Sequence, residues 1–259
     1  MKYLLTFLSF FCVLVYADER VCDDLSVINL ADRPTFAYGA CVVPQKTSML
    51  ELGFKHFKLL GEGESNYLPN SEYRFGLGWD TEIDVNPPNY YFQSIHPRAG
   101  FGYVSVGLKR VFYNDKNFVF TAEGFYIPPS GHFYFGSQGN QGGFNLITQY
   151  NFAEKWTMAL VFGAASYGEM NKLEFQNYKT YSPDVALSYK LADNLVLYGE
   201  FFGQTRSSYT QGFGLVFDTG LIYQIFKFAT VDIEFGQRVM GQLNNAAHYI
   251  GMGSAIKFD

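Results

Sequence analysis

The chain has 259 residues, with 19 Lys and Arg against 24 Asp and Glu, and its aromatics reach 19% while charged residues stop at 17%. A net charge of −5 argues against a nucleic-acid partner, which needs a basic footprint. Mean hydropathy is −0.05, so the apolar residues are interleaved with polar ones rather than gathered in one long run.

At the N-terminus, Lys2 precedes the apolar run "YLLTFLSFFCVLVYA", which ends in Val15-Tyr16-Ala17. A charged start, an apolar middle and small residues before a cut site are the pattern of an export signal. The run falls short of the ~20 apolar residues of a spanning helix. Residues 1–17 are therefore expected to be a cleaved signal peptide. Cys12 lies inside the run without the small-residue box of a lipidated cysteine. Cleavage leaves 18 basic and 24 acidic residues, a net charge of −6. It also leaves Cys22 and Cys41 in an oxidising compartment, where they are expected to form a disulfide.

Residues 18–45 show no clean period and read as an irregular periplasmic segment with a short helical turn. They carry Phe36 and Tyr38. They are expected either to fold against or into the mouth of the domain formed by residues 46–259, as a plug, or to lie loose as many termini do.

From residue 46 to 259 the pattern changes to alternating segments broken by Gly, Asn, Asp, Lys and Pro. Twelve strands are predicted, near 46–59, 70–78, 81–87, 99–113, 118–128, 143–152, 156–167, 182–191, 195–204, 212–224, 229–238 and 248–258. Most are close to ten residues, the length of a tilted membrane-crossing strand. In "SEYRFGLGWDTEIDV", Tyr73, Phe75, Leu77, Ile83 and Val85 fall on one face, and Glu72, Arg74, Glu82 and Asp84 on the other. The same sorting recurs in Glu51 with Lys55, Asp184 with Lys190, and Asp232 with Glu234 and Arg238.

Connections after even-numbered predicted strands are short ("WD", "NDKN", "AEK", "ADN", "IFKF") and those after odd-numbered ones are long. Short turns at one end and long loops at the other characterise an outer-membrane barrel, whereas a soluble Greek-key sandwich has no reason to sort its loops. Trp79, Phe112, Phe118, Phe152, Trp156, Phe226, Phe228 and Phe258 collect near the short-turn end, as an interfacial girdle does. The expected fold is an all-β, antiparallel up-and-down transmembrane β-barrel of about twelve strands, closed because an open edge in hydrocarbon would leave backbone groups unpaired.

The chain resembles a family of outer-membrane channel-type proteins named for the meta-cleavage pathway of phenol degradation. The similarity rests on "ADRPT" at 31–35, "CVVP" at 41–44, "LELGF" at 50–54, "VGLK" at 106–109, "AEGFYIPPSG" at 122–131, "SPDVALSY" at 182–189, "LYGEFFGQT" at 197–205, "VDIEFGQR" at 231–238 and "HYIGMGSAIKF" at 248–258. The resemblance implies a twelve-stranded barrel and a transporter-like role. The family name comes from gene company, so phenol itself does not follow. Many barrels end on an aromatic residue read by the assembly machinery; here Phe258 is penultimate and Asp259 last.

Four isolated histidines (His56, His96, His132, His248) give no metal-ligand spacing, and no Ser lies beside a His in a recognisable nucleophile motif. No cofactor and no enzyme activity are expected. Candidate lumen-lining residues are Glu51, Arg74, Glu82, Asp84, Lys109, Glu123, Glu200, Asp218, Asp232, Glu234 and Arg238. Such charges either pair across strands for their own satisfaction or line a solute path. The functional expectation is a passive outer-membrane channel of a Gram-negative bacterium for small neutral or cationic solutes, aromatic or hydrophobic ones included. Its expected partners are outer-membrane lipid, the barrel-assembly machinery and that solute. The alternative is a non-conducting surface barrel whose long loops bind a partner.

Overall fold

The computed structural model describes residues 20–61, 63–171, 174–243 and 245–259. The expected signal peptide lies outside them. Twelve antiparallel strands close into a barrel, with β1 (Ser48–Leu59) paired to β15 (Ala246–Phe258) over its whole length. Between them, each paired to the next, run β3 (Glu72–Gly78), β4 (Thr81–Asn86), β7 (Ser105–Asn114), β8 (Phe118–Ile127), β9 (Gln141–Ala153), β10 (Trp156–Asn171), β11 (Glu174–Ala192), β12 (Leu195–Gln204), β13 (Gly214–Phe226) and β14 (Ala229–Gly241).

Three short strands complete the outer half of one wall: β2 (Glu64–Leu68), β5 (Tyr90–Gln93) and β6 (Ala99–Phe101), in the order β1-β2-β5-β6. The expectation of one strand over 99–113, and of long connections without strands between 59 and 70 and between 87 and 99, therefore needs correction. Three strands of this wall are each broken in two, at 69–71, 87–89 and 102–104. Pro69, Pro87 and Pro88 have no N–H to give to a ladder, which accounts for two of the breaks. Irregular backbone at membrane depth has to be satisfied inside the protein. Here Gly53 N–H bonds to Pro69 O (2.5 Å), Gly102 N–H to Asn89 O (2.7 Å), and Val104 N–H to Ser130 Oγ (3.1 Å). The connection after β8 folds over the broken wall, with His132 N–H on Phe101 O at 2.7 Å.

The opposite wall extends further than expected. β10 and β11 pair as far as Asn171 and Glu174, so Asn177, expected in a loop, faces Gly168 within the ladder. The short connections match the expectation: Trp79 and Asp80 turn with φ of 53° and 55°, and 154–155 and 193–194 join their strands directly.

Side chains alternate as the pleat requires. Leu108, Phe144, Leu160, Phe162, Leu187, Phe201, Ile233, Phe235, Ile250 and Met252 are exposed on the outside. Trp79 is 87% exposed, and the Phe152–Trp156 and Phe226–Phe228 pairs sit at the short-turn end. No helix among the described residues is long and apolar enough to cross a membrane; the crossing belongs to the strands.

Candidate functional site

The interior is occupied by residues 20–45. The segment starts at the short-turn end, where Val21 N–H bonds to Asp115 O at 2.9 Å. It forms one helical turn, α1 (Val27–Leu30), reaches its deepest point at Phe36, and returns along the wall to a Gln45–Gly76 bridge beside β1. Cys22 and Cys41 join the ingoing and outgoing legs as a disulfide, their Cα atoms 5.4 Å apart. The outgoing leg passes so near Gly76 that a Cβ there would overlap the carbonyl oxygens of Val43 and Pro44.

Charges fix the segment to the wall. Arg74 Nη1 lies 3.2 Å from Glu51 and 3.4 Å from Asp32, and its Nη2 lies 2.8 Å from Glu82. The same guanidinium donates to Leu30 O (2.5 Å) and Cys41 O (3.2 Å) of the inserted segment. Lys109 Nζ bonds to Asp32 at 3.0 Å. Glu51 accepts the N–H groups of Asp32 and Arg33, Glu82 that of Val43, and Glu200 those of Phe36 and Ala37. Arg33 reaches across to Asp232 at 3.1 Å, and Lys55 to Glu234 at 3.0 Å. All these side chains are buried, and buried charge is tolerated only when it is paired and hydrogen-bonded.

Some of the candidate lumen residues are thus spent on holding the segment: Glu51, Arg74, Glu82, Lys109, Glu200 and Asp232, while Glu234 pairs with Lys55 of the wall and lies 4.0 Å from Arg33. Asp84, Glu123 and Asp218 are also buried inside, with Glu123 accepting from Asn145 (2.9 Å) and Asp218 from the Tyr249 hydroxyl. Arg238 stands apart, exposed near the outer end of β14, where it donates to Gly241 O. Asp32 and Arg33 escape a sequence reading as interior charges because no strand pattern marks them. The available signal is the acid excess on the wall face, which calls for basic partners and N–H donors from elsewhere.

Above the segment lies an outer cavity of about 240 Å³. Among the described residues seven aromatics line it (Phe36, Tyr38, Tyr91, Tyr103, Phe125, Tyr167, Phe202), and its only charged lining residues are two carboxylates, Asp84 and Glu123. Asn86, Pro87, Asn89, Gly102 and Tyr103 bring it to the broken wall. Rings continue the lining outward and inward: Phe135 on Tyr91 (5.4 Å), Tyr91 on Tyr67 (5.3 Å), Tyr67 on Phe57 (5.4 Å), Phe57 on Tyr249 (5.2 Å), and Phe36 stacked on Phe202 (4.3 Å). Below the segment is a vestibule of about 460 Å³, lined by Asp24, Asn29, Gln149, Asn151, Lys155, Lys190 and others. No group of His, Cys, Asp and Glu among the described residues has the arrangement of a metal site.

The family profile for "Putative MetA-pathway of phenol degradation" matches residues 31–247, from the inserted segment to the last strand. The chain belongs to that family. No curated protein sequence matches it. Among solved structures it is similar to an outer membrane channel from Pseudomonas putida F1, with a TM-score of 0.65 and 10% identity over 87% of this chain and 100% of that one. The NanC porin gives 0.57 and 10%, over 82% and 100%. The KdgM porin, solved in complex with disordered oligogalacturonate, gives 0.52 and 13%, over 81% and 99%. At these identities the likeness concerns the fold, which is that of outer-membrane barrel channels. The apolar outer belt and aromatic girdle place this barrel in an outer membrane.

Proposed function

We propose that the chain is a narrow passive channel for small neutral or cationic solutes, aromatic ones included. The observation that carries this reading is the outer cavity, with seven rings and two carboxylates and no basic residue in its lining. Rings offer apolar and stacking surface to an uncharged or aromatic solute, and their faces attract cations. The two carboxylates in the lining disfavour anions. Among the described residues, ten buried interior acids against four buried bases (Arg33, Lys55, Arg74, Lys109) extend the same bias through the lumen. The membership of a channel-type family and the porin-like fold support a conduit over an enzyme.

Liposome swelling tests it. Vesicles carrying the full-length mature protein are challenged with a neutral aromatic alcohol, an amine and a carboxylate of similar size. Faster entry of the first two is expected. Faster entry of the carboxylate, or entry of none, contradicts the reading, and the second outcome favours the partner-binding barrel.

A further inference from the structure

We propose that the ring of Tyr38 is the septum between the outer cavity and the periplasmic vestibule, and so sets the size of what the channel passes. The proposal rests on the channel reading above. Tyr38 lines both cavities, and no other described residue does.

The facing wall changes from one cavity to the other across a single level. On β9 the outer cavity touches Asn145 and the vestibule Gln149, with Ile147 between them. On β10 the pair is Gly163 and Ala159, with Val161 between; on β11 it is Ser182 and Ala186, with Asp184 between. Ile147 and Val161 are buried members of the apolar cluster against which Tyr38 packs. Asp184 is buried too, and neither of its carboxylate oxygens has a hydrogen-bond partner among the described residues. The septum is therefore the Tyr38 ring at the level of Ile147, Val161 and Asp184, which lie in register on the facing wall.

The backbone on either side of Tyr38 is held. Phe36 and Ala37 give their N–H groups to Glu200, Gly39 gives its N–H to Asp32 at 2.6 Å, and Ala40 O accepts from Thr121 at 2.5 Å. With the backbone fixed, a change in the opening falls to a rotamer change of this one ring. Burial, with Glu123 and Glu72 nearby, pushes the Tyr38 hydroxyl well above its ordinary range, so the ring stays neutral. An uncharged ring blocks by its size alone.

The test uses the full-length mature protein in planar bilayers and in liposome swelling with neutral solutes of graded size. Wild type is compared with Tyr38→Ala, Tyr38→Phe and Tyr38→Trp, each checked for a heat-modifiable folded band. Tyr38→Ala is expected to raise unit conductance about twofold or more and to raise the size cut-off, as widening a constriction does. Tyr38→Phe should match wild type, and Tyr38→Trp should lower both quantities. A conducting wild type with an unchanged Tyr38→Ala variant overturns the septum and leaves the channel reading standing. Failure of both wild type and Tyr38→Ala to conduct overturns both.

Discussion

Arg33 in the inserted segment donates from Nε and Nη2 to the two carboxylate oxygens of Asp232 on β14, at 3.3 and 3.1 Å. The guanidinium lies over the cross-strand pair Gly53 and Gly253, where a Cβ on either glycine would overlap it. Two glycines in the wall thus make room for one arginine from the segment, and that arginine neutralises an acid whose cross-strand neighbours, Ile222 and Gly253, carry no charge.

Arg33→Ala is expected to destabilise the folded barrel by about 3–5 kcal/mol, the usual cost of stranding one partner of a buried ion pair. Asp232→Ala should cost less when added to Arg33→Ala than when made alone. Urea unfolding in detergent micelles measures both, and strict additivity would show that the pair is not coupled.

Gly76→Ala pushes a methyl group into the Val43 and Pro44 carbonyls. The expected loss is about 1–3 kcal/mol, the range for overpacking. Gly124→Ala is the control, because a Cβ there meets nothing within 4 Å. Equal melting temperatures for the two variants would mean that the outgoing leg does not lie against β3.

The Cys22–Cys41 bond should leave the chain from residue 18 onward without an alkylatable thiol. Its reduction should lower stability by about 3 kcal/mol on the chain-entropy account, for a closed loop of roughly 20 residues. Mass spectrometry after alkylation without reductant decides the first point. Unfolding with and without reductant decides the second.

At the turn between β7 and β8, the Asp115 carboxylate accepts the Asn117 N–H, the Tyr113 hydroxyl and the Phe118 N–H, which hold its pKa below the ordinary aspartate value. A depressed pKa contributes stability above the unfolded value, near 3.9, which is lost as pH falls through the folded value. Asp115→Asn should therefore melt lower than wild type at pH 6, with the difference shrinking in acid. A difference that stays constant down to pH 2 would contradict the turn's hydrogen bonding.

Much of the barrel is legible in the sequence because a strand in lipid exposes its logic. One face of each strand must be apolar, so Leu108, Phe162 and Ile233 can be assigned outward from parity alone, and Glu51, Glu82 and Glu234 inward. Two-residue turns such as Trp79-Asp80 carry their own signal. The broken wall is not legible, since β2 and β5 are too short to show a period and Pro69, Pro87 and Pro88 read simply as loop. The inserted segment can be suspected from Cys22, Cys41, Phe36 and Tyr38, but its fit cannot. Its structure comes from single contacts, Asp32 with Lys109 and Arg33 with Asp232, between residues 77 and 199 positions apart. Periodicity reports a residue's face, and these contacts depend on its height inside the lumen.

The most direct measurement of the central claim is the reversal potential of the protein comprising residues 18–259 in a planar bilayer under a salt gradient. A small unit conductance with a cation-selective reversal potential is the predicted result, set by an occupied lumen with ten buried acids and four buried bases among the described residues. Anion selectivity, or a conductance as large as that of an unobstructed porin, would contradict it.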